Sequence, residues 1–66
     1  MNVSRYAEVS NDIWAIFKKY LPDDADLITW ADDIHALDEK YQNTEEYEFM
    51  KRLLKVYFDE LNRIKG

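Results

Sequence analysis

Cysteine is absent and histidine occurs once, at His35. A chain of 66 residues is near the lower limit for a self-sufficient core. The two shortages remove disulfides and a structural metal from the usual reinforcements, leaving helix packing and self-association. Glycine occurs only at Gly66 and proline only at Pro22, so little in the interior invites a turn. No apolar run reaches the length of about 18 residues that a membrane-spanning helix needs. Met1 to Arg5 present no charged segment leading into an apolar stretch, so no secretory signal is expected. Lysine and arginine form no cluster of the kind that displaces counterions from a duplex, which disfavours direct nucleic-acid binding. Lack of cysteine fits a reducing compartment, and the chain reads as cytoplasmic with no membrane attachment.

What is present argues for folding. Hydrophobic residues make up 47% of the chain and aromatics 15%, too much apolar surface for a disordered polymer. The net charge of −5 is unevenly placed: residues 1–21 sum to +1, residues 22–43 to −6 and residues 44–66 to zero. The acidity therefore belongs to the middle segment.

The last third dominates the pattern. Tyr47, Met50, Leu54, Tyr57, Leu61 and Ile64 recur in steps of three and four, which only a helix brings to one face. A second row, Phe49, Leu53 and Val56, runs beside the first, and Phe58 lies on the opposite flank. Together they span roughly 200°, twice the arc of about 100° that one core-facing stripe requires. A helix this greasy is expected to touch more than one neighbour.

Upstream, Val3, Tyr6, Val9, Ile13, Ile16, Phe17 and Tyr20 share a face with Trp14 at its edge, predicting a helix over about 3–20. Acids before Lys18 and Lys19 match the helix dipole, and Ser10, inside the apolar arc, is expected to bond back to its own helix. Pro22 ends this segment. Asp23, Asp24 and Asp26 then offer a cap and acidic first turn for a helix over about 24–41, with Leu27, Trp30, Ala31, Ile34, Leu37 and Tyr41 as its buried stripe. Asp38 breaks that stripe and must meet a cation, a hydroxyl or backbone amides or stay at the exposed end of the bundle; it is expected to cap the following helix or accept a tyrosine hydroxyl. Asn43 and Glu46 have capping-box spacing, and Thr44 is an alternative cap, starting a third helix over about 45–64 with Glu45, Glu46 and Glu48 at its head. Short connections favour antiparallel neighbours, hence a single all-α domain, an up-down-up three-helix bundle with the third helix longest and central. No internal repeat is apparent.

Motifs that carry chemistry are missing. Asp32, His35 and Glu39 share one helix face, but a metal site needs further carboxylates directed inward from other helices, so none is assigned and His35 reads as a half-buried surface residue. The acids around Glu45 lie on different sides of a helix start and do not converge as a magnesium site requires. There is no cysteine nucleophile and no glycine-rich phosphate loop. No enzyme activity, cofactor or small-molecule substrate is assigned.

The function expected is a non-enzymatic protein–protein interaction module. Its partner-binding surface is read at Phe49, Leu53, Val56, Phe58 and Trp14, apolar residues that three short helices cannot all cover, with a second copy of the chain as one partner. The alternative is an acidic inhibitor that occupies the nucleic-acid-binding groove of a basic protein through an acidic face of Asp26, Asp32, Asp33 and Glu39.

Overall fold

Among the described residues three helices follow one another: α1 (Val3–Tyr20), α2 (Trp30–Tyr41) and α3 (Tyr47–Lys65), with a 3-10 turn at Leu27–Thr29 before α2. They come from a computed structural model that describes residues 3–66, with side chains from Ser4 onward. Met1, Asn2 and the side chain of Val3, which figured in the signal and stripe readings above, lie outside the described residues.

Pairings along the chain set the topology. Tyr6 meets Phe49 and Phe17 meets Tyr57, so α1 and α3 run parallel. Asp12 reaches Tyr41 while Tyr20 reaches Asp33, so α1 and α2 run antiparallel. Tyr47 meets Asp38 and Phe58 meets Trp30, which makes α2 and α3 antiparallel as well. The result is the expected up-down-up bundle. At 19 residues α3 is the longest described helix, and its ring contacts reach both of the others.

The core has two parts. Val9, Ile13, Leu37, Tyr41 and Met50 join all three helices at one end, and Phe17, Tyr20 and Leu61 pack at the other. The Cα body measures 38 × 19 × 15 Å, little thicker than two helices at an interaxial distance of about 8–10 Å. A body that thin leaves many apolar side chains only half covered.

The α1–α2 seam is polar. Tyr41, wholly buried, donates its hydroxyl to Asp12 Oδ2 at 2.7 Å, and Lys40 Nζ reaches the same oxygen at 2.7 Å and Glu8 at 2.9 Å. Tyr20, also wholly buried, donates to Asp33 Oδ2 at 2.5 Å, and Lys19 Nζ reaches that oxygen at 2.9 Å. With Tyr20's one proton committed, the Thr29 hydroxyl 2.6 Å away donates to it. Each clamp is a Lys-Tyr pair at a helix end holding an aspartate of the opposite helix. The two are built from one pattern, Asp-Ile-x-Ala-(Ile/Leu)-x-x-Lys-Tyr, at residues 12–20 and again at 33–41. That repeat corrects the reading that none exists: antiparallel packing puts the aspartate of each copy opposite the Lys-Tyr of the other.

Several boundaries differ from expectation. The second helix begins at Trp30, not near 24, because Asp26, in an extended conformation, accepts from the Ile28 N–H at 2.9 Å and caps the 3-10 turn. Consequently Leu27 leaves the buried stripe and is 54% exposed, and Ala31 also faces solvent. The Asn43–Glu46 capping box does not form. Thr44 Oγ1 instead donates back to the Tyr41 carbonyl at 2.7 Å, while Glu46 is buried, its Oε2 3.9 Å from the Arg5 Nε. Only Glu48 of the three expected acids lies in the first turn of α3, and α1 has no acid in its first turn, although Lys18 and Lys19 do sit in its last. Ser10 bonds back to the Tyr6 carbonyl at 3.0 Å as expected.

A candidate protein-binding groove between α2 and α3

An open seam between two antiparallel helices forms the site. At 1.5 Å per residue the 12 residues of α2 run about 18 Å and the 19 of α3 about 28 Å, so α2 lies level with Tyr47 to Phe58 and the last turns of α3 extend past it. Trp30, Ile34, Met50, Leu54 and Phe58 floor an open groove of about 390 Å³ between the two helices. A second hollow of about 290 Å³ shares Trp30 and Phe58 and continues past Leu27 and Leu61. The apolar surface is therefore continuous from Leu54 to the 3-10 turn.

Stacked rings fix its centre. Trp30 lies edge-on to the buried Tyr20 ring, 4.9 Å between centroids, and the Phe58 ring sits 5.5 Å from Trp30. Because Tyr20 is anchored by Asp33 and Thr29, Trp30 has a rigid backing on one side and Phe58, 40% exposed, on the other. Aromatics presented on a stiff support lose little entropy when covered, which suits a binding surface.

The two walls carry opposite charge. On the α2 side Asp38 lines the groove and accepts the Tyr47 hydroxyl at 2.5 Å, the tyrosine partner expected for it. That bond holds the Tyr47 proton above its ordinary range. On the α3 side stand Lys51, whose ammonium lies 5.2 Å from the Tyr47 ring centroid, and Lys55, paired at 2.9 Å with Asp59.

The expected partner-binding residues are divided by the fold. Phe58 lies on the groove. Phe49 is half-buried on Tyr6 at 4.8 Å and Leu53 is packed against the core, both toward α1. Val56, 62% exposed, and Trp14, 46% exposed and 6.0 Å from Phe17, are left outside. The expected acidic face is divided too. Asp26 caps the 3-10 turn, Asp33 is held by Lys19 and Tyr20, and Glu39 meets His35 Nε2 at 2.9 Å, while Asp32 stands exposed in the first turn of α2. His35, with 73% of its side chain exposed, is a largely solvated residue, not a half-buried one, and pairs with Glu39.

Trp30, Ile34, Leu54, Lys51 and Lys55 were not read as site residues from the sequence. The Asp-Asp-Ala-Asp run at 23–26 signals only the later start of α2, which exposes Leu27, while spacing alone assigned Trp30, Ile34 and Leu54 to the core.

Titratable groups elsewhere are engaged in structure. Burial pushes the Asp12 carboxyl up, but hydrogen bonds from Lys40 and Tyr41 outweigh it and leave the group below its ordinary value. Tyr20 and then Lys19 hold Asp33 low. Burial, with Asp12 as acceptor, raises the Tyr41 hydroxyl to about 12. Among the described residues no group of three or more histidines and acids is placed to hold a metal ion, and no helix is long and apolar enough to cross a membrane. Compared with protein-family models, curated proteins and solved structures, the chain matches none.

Proposed function

We propose that the chain is a non-enzymatic protein–protein interaction module that receives a helical protein surface in the groove between α2 and α3. The observation that carries the reading is the Trp30–Phe58 pair, large aromatics held rigidly and left partly open to solvent in a continuous apolar groove. Buried aromatic anchors supply much of the affinity of protein interfaces, and this groove has the anchors without the cover. Asp38, the carboxylate lining it, is occupied by Tyr47, and the acids held below their ordinary value, Asp12 and Asp33, belong to the interhelical clamps, which supports binding over catalysis. The proposal places the module in the cytoplasm, where a fold without disulfides loses nothing to reduction.

A photo-crosslinking side chain at Lys55, on the groove wall, tests this in the cells that make the protein, with Lys18 on the solvent side of α1 as the control position. Adducts from position 55 that disappear with Phe58→Glu, and none from position 18, are expected. No adduct from position 55 overturns the reading.

A further inference from the structure

We infer that the occupant of the groove is a second copy of the chain, docked about a two-fold axis that runs along the groove; the inference rests on the groove being a protein-binding surface. Three observations favour a like partner.

The first is charge. One wall presents Asp38 and the other Lys51 and Lys55, with the apolar floor between them. Rotation by half a turn about the groove axis lays the basic wall of each copy over the acidic wall of the other, so the surface is complementary to itself. An acidic or basic partner helix would satisfy one wall and oppose the other.

The second is helix direction. Because α2 and α3 are antiparallel, the same rotation sets α2 of one copy across α3 of its mate, again antiparallel. It also keeps each residue at its own level along the groove. Trp30 of one copy then faces Phe58 of the other, and two half-exposed ring pairs become one cluster of four.

The third is need. The accessible surface is 4773 Å², so an ordinary interface of about 800 Å² per partner would cover about a sixth of it. Phe58 and Leu27, both exposed, line the groove and its continuation, and pairing there enlarges the core of a chain that has few other means of doing so.

Light scattering on the purified chain, from about 1 to about 500 µM, reads the outcome directly. The expected mass rises with concentration from 8.0 kDa toward twice that value. Phe58→Glu is expected to remain at 8.0 kDa with an unchanged helical circular dichroism spectrum. Lys51→Glu/Lys55→Glu, which alters only exposed side chains, is expected to weaken pairing by about tenfold or more. Lys18→Glu/Arg52→Glu carries the same charge change at exposed positions that do not line the groove and is expected to alter pairing by no more than about twofold. A wild-type chain that stays monomeric throughout overturns the inference, as does a dimer that survives Phe58→Glu and is lost with Val56→Glu. A monomer that still gives a Phe58-dependent adduct from position 55 in cells, of a mass other than its own double, removes the second copy and leaves the interaction reading standing.

Discussion

Tyr41 at the end of α2 donates its hydroxyl to Asp12 in the middle of α1 across 2.7 Å, and Tyr20 at the end of α1 does the same to Asp33 of α2 across 2.5 Å. Val9 and Ile13 of α1 share a buried apolar cluster with Leu37 of α2, and the clamps add a polar seam to it. Two buried phenols and two carboxylates, each carboxylate also paired with a lysine, fix their relative height. A displacement of one turn would strand a hydroxyl in the core, so the clamps specify register as well as adding stability.

Removing either phenol oxygen should therefore weaken the fold by a similar amount. Tyr41→Phe and Tyr20→Phe are each expected to cost about 1.5–3 kcal/mol, the range for hydrogen bonds to charged groups. The clamps share no side chain, so the double variant should be additive within about 0.5 kcal/mol. Urea unfolding followed by circular dichroism measures all three; a neutral Tyr41→Phe would show the bond to be dispensable.

Acid should undo both clamps. Asp12 and Asp33 titrate below their ordinary value of 3.8 when folded, so the unfolded chain takes up protons first. Their stabilisation is complete well above pH 3.8 and is lost as pH falls through the folded values. Melting temperature between pH 7 and pH 2 should fall steeply at the acid end, and Asp33→Asn should flatten part of that slope.

Alkali attacks the Tyr41 clamp from the other side. The hydroxyl is raised from 10.0 to about 12 in the folded chain, so its contribution is full below pH 10 and disappears as pH climbs toward 12. Tyr41→Phe should remove this alkaline loss while lowering stability at neutral pH. Thermal melts across that window decide it, and an unchanged alkaline slope in the variant would contradict the assignment.

Core and groove should respond differently to truncation. Ile13 is 1% exposed in the cluster where all three helices meet, so Ile13→Ala is expected to cost about 2–5 kcal/mol, a large share of the about 3–10 kcal/mol available to a chain of this size. Phe58→Glu, on a partly open ring, should cost about 1 kcal/mol in the isolated chain. Equal losses in chemical unfolding would place Phe58 in the core instead of on a binding surface.

Much of the bundle was legible because periodicity is local. The apolar rows of α1 and α3 appear at helical spacing, Pro22 marks the end of the first helix within two residues, and the polarity of Asp38 within an apolar stripe calls for a polar partner, which the Tyr47 hydroxyl supplies. The start of α2 was less legible, since an Asp-rich segment suits a helix cap and a 3-10 turn equally well, and only the bonds made by Asp26 and Thr29 choose between them. Phe49 shows the same limit for the site. Its position on the flank of α3 is readable, but whether that flank meets water or Tyr6 is settled by a neighbour 43 positions away.

From the amino-acid order alone came three amphipathic helices, their up-down-up connection and an excess of apolar perimeter on the last, because each follows from spacings within one or two turns. Tertiary structure decided which part of that perimeter stays open. Coverage depends on the relative lengths and heights of packed helices, and those are set by Tyr20 meeting Asp33 and Tyr41 meeting Asp12 across the α1–α2 seam. With α2 held there, beginning only at Trp30, its Trp30 and Ile34 line an open groove with Leu54 and Phe58 of α3 and do not close over them.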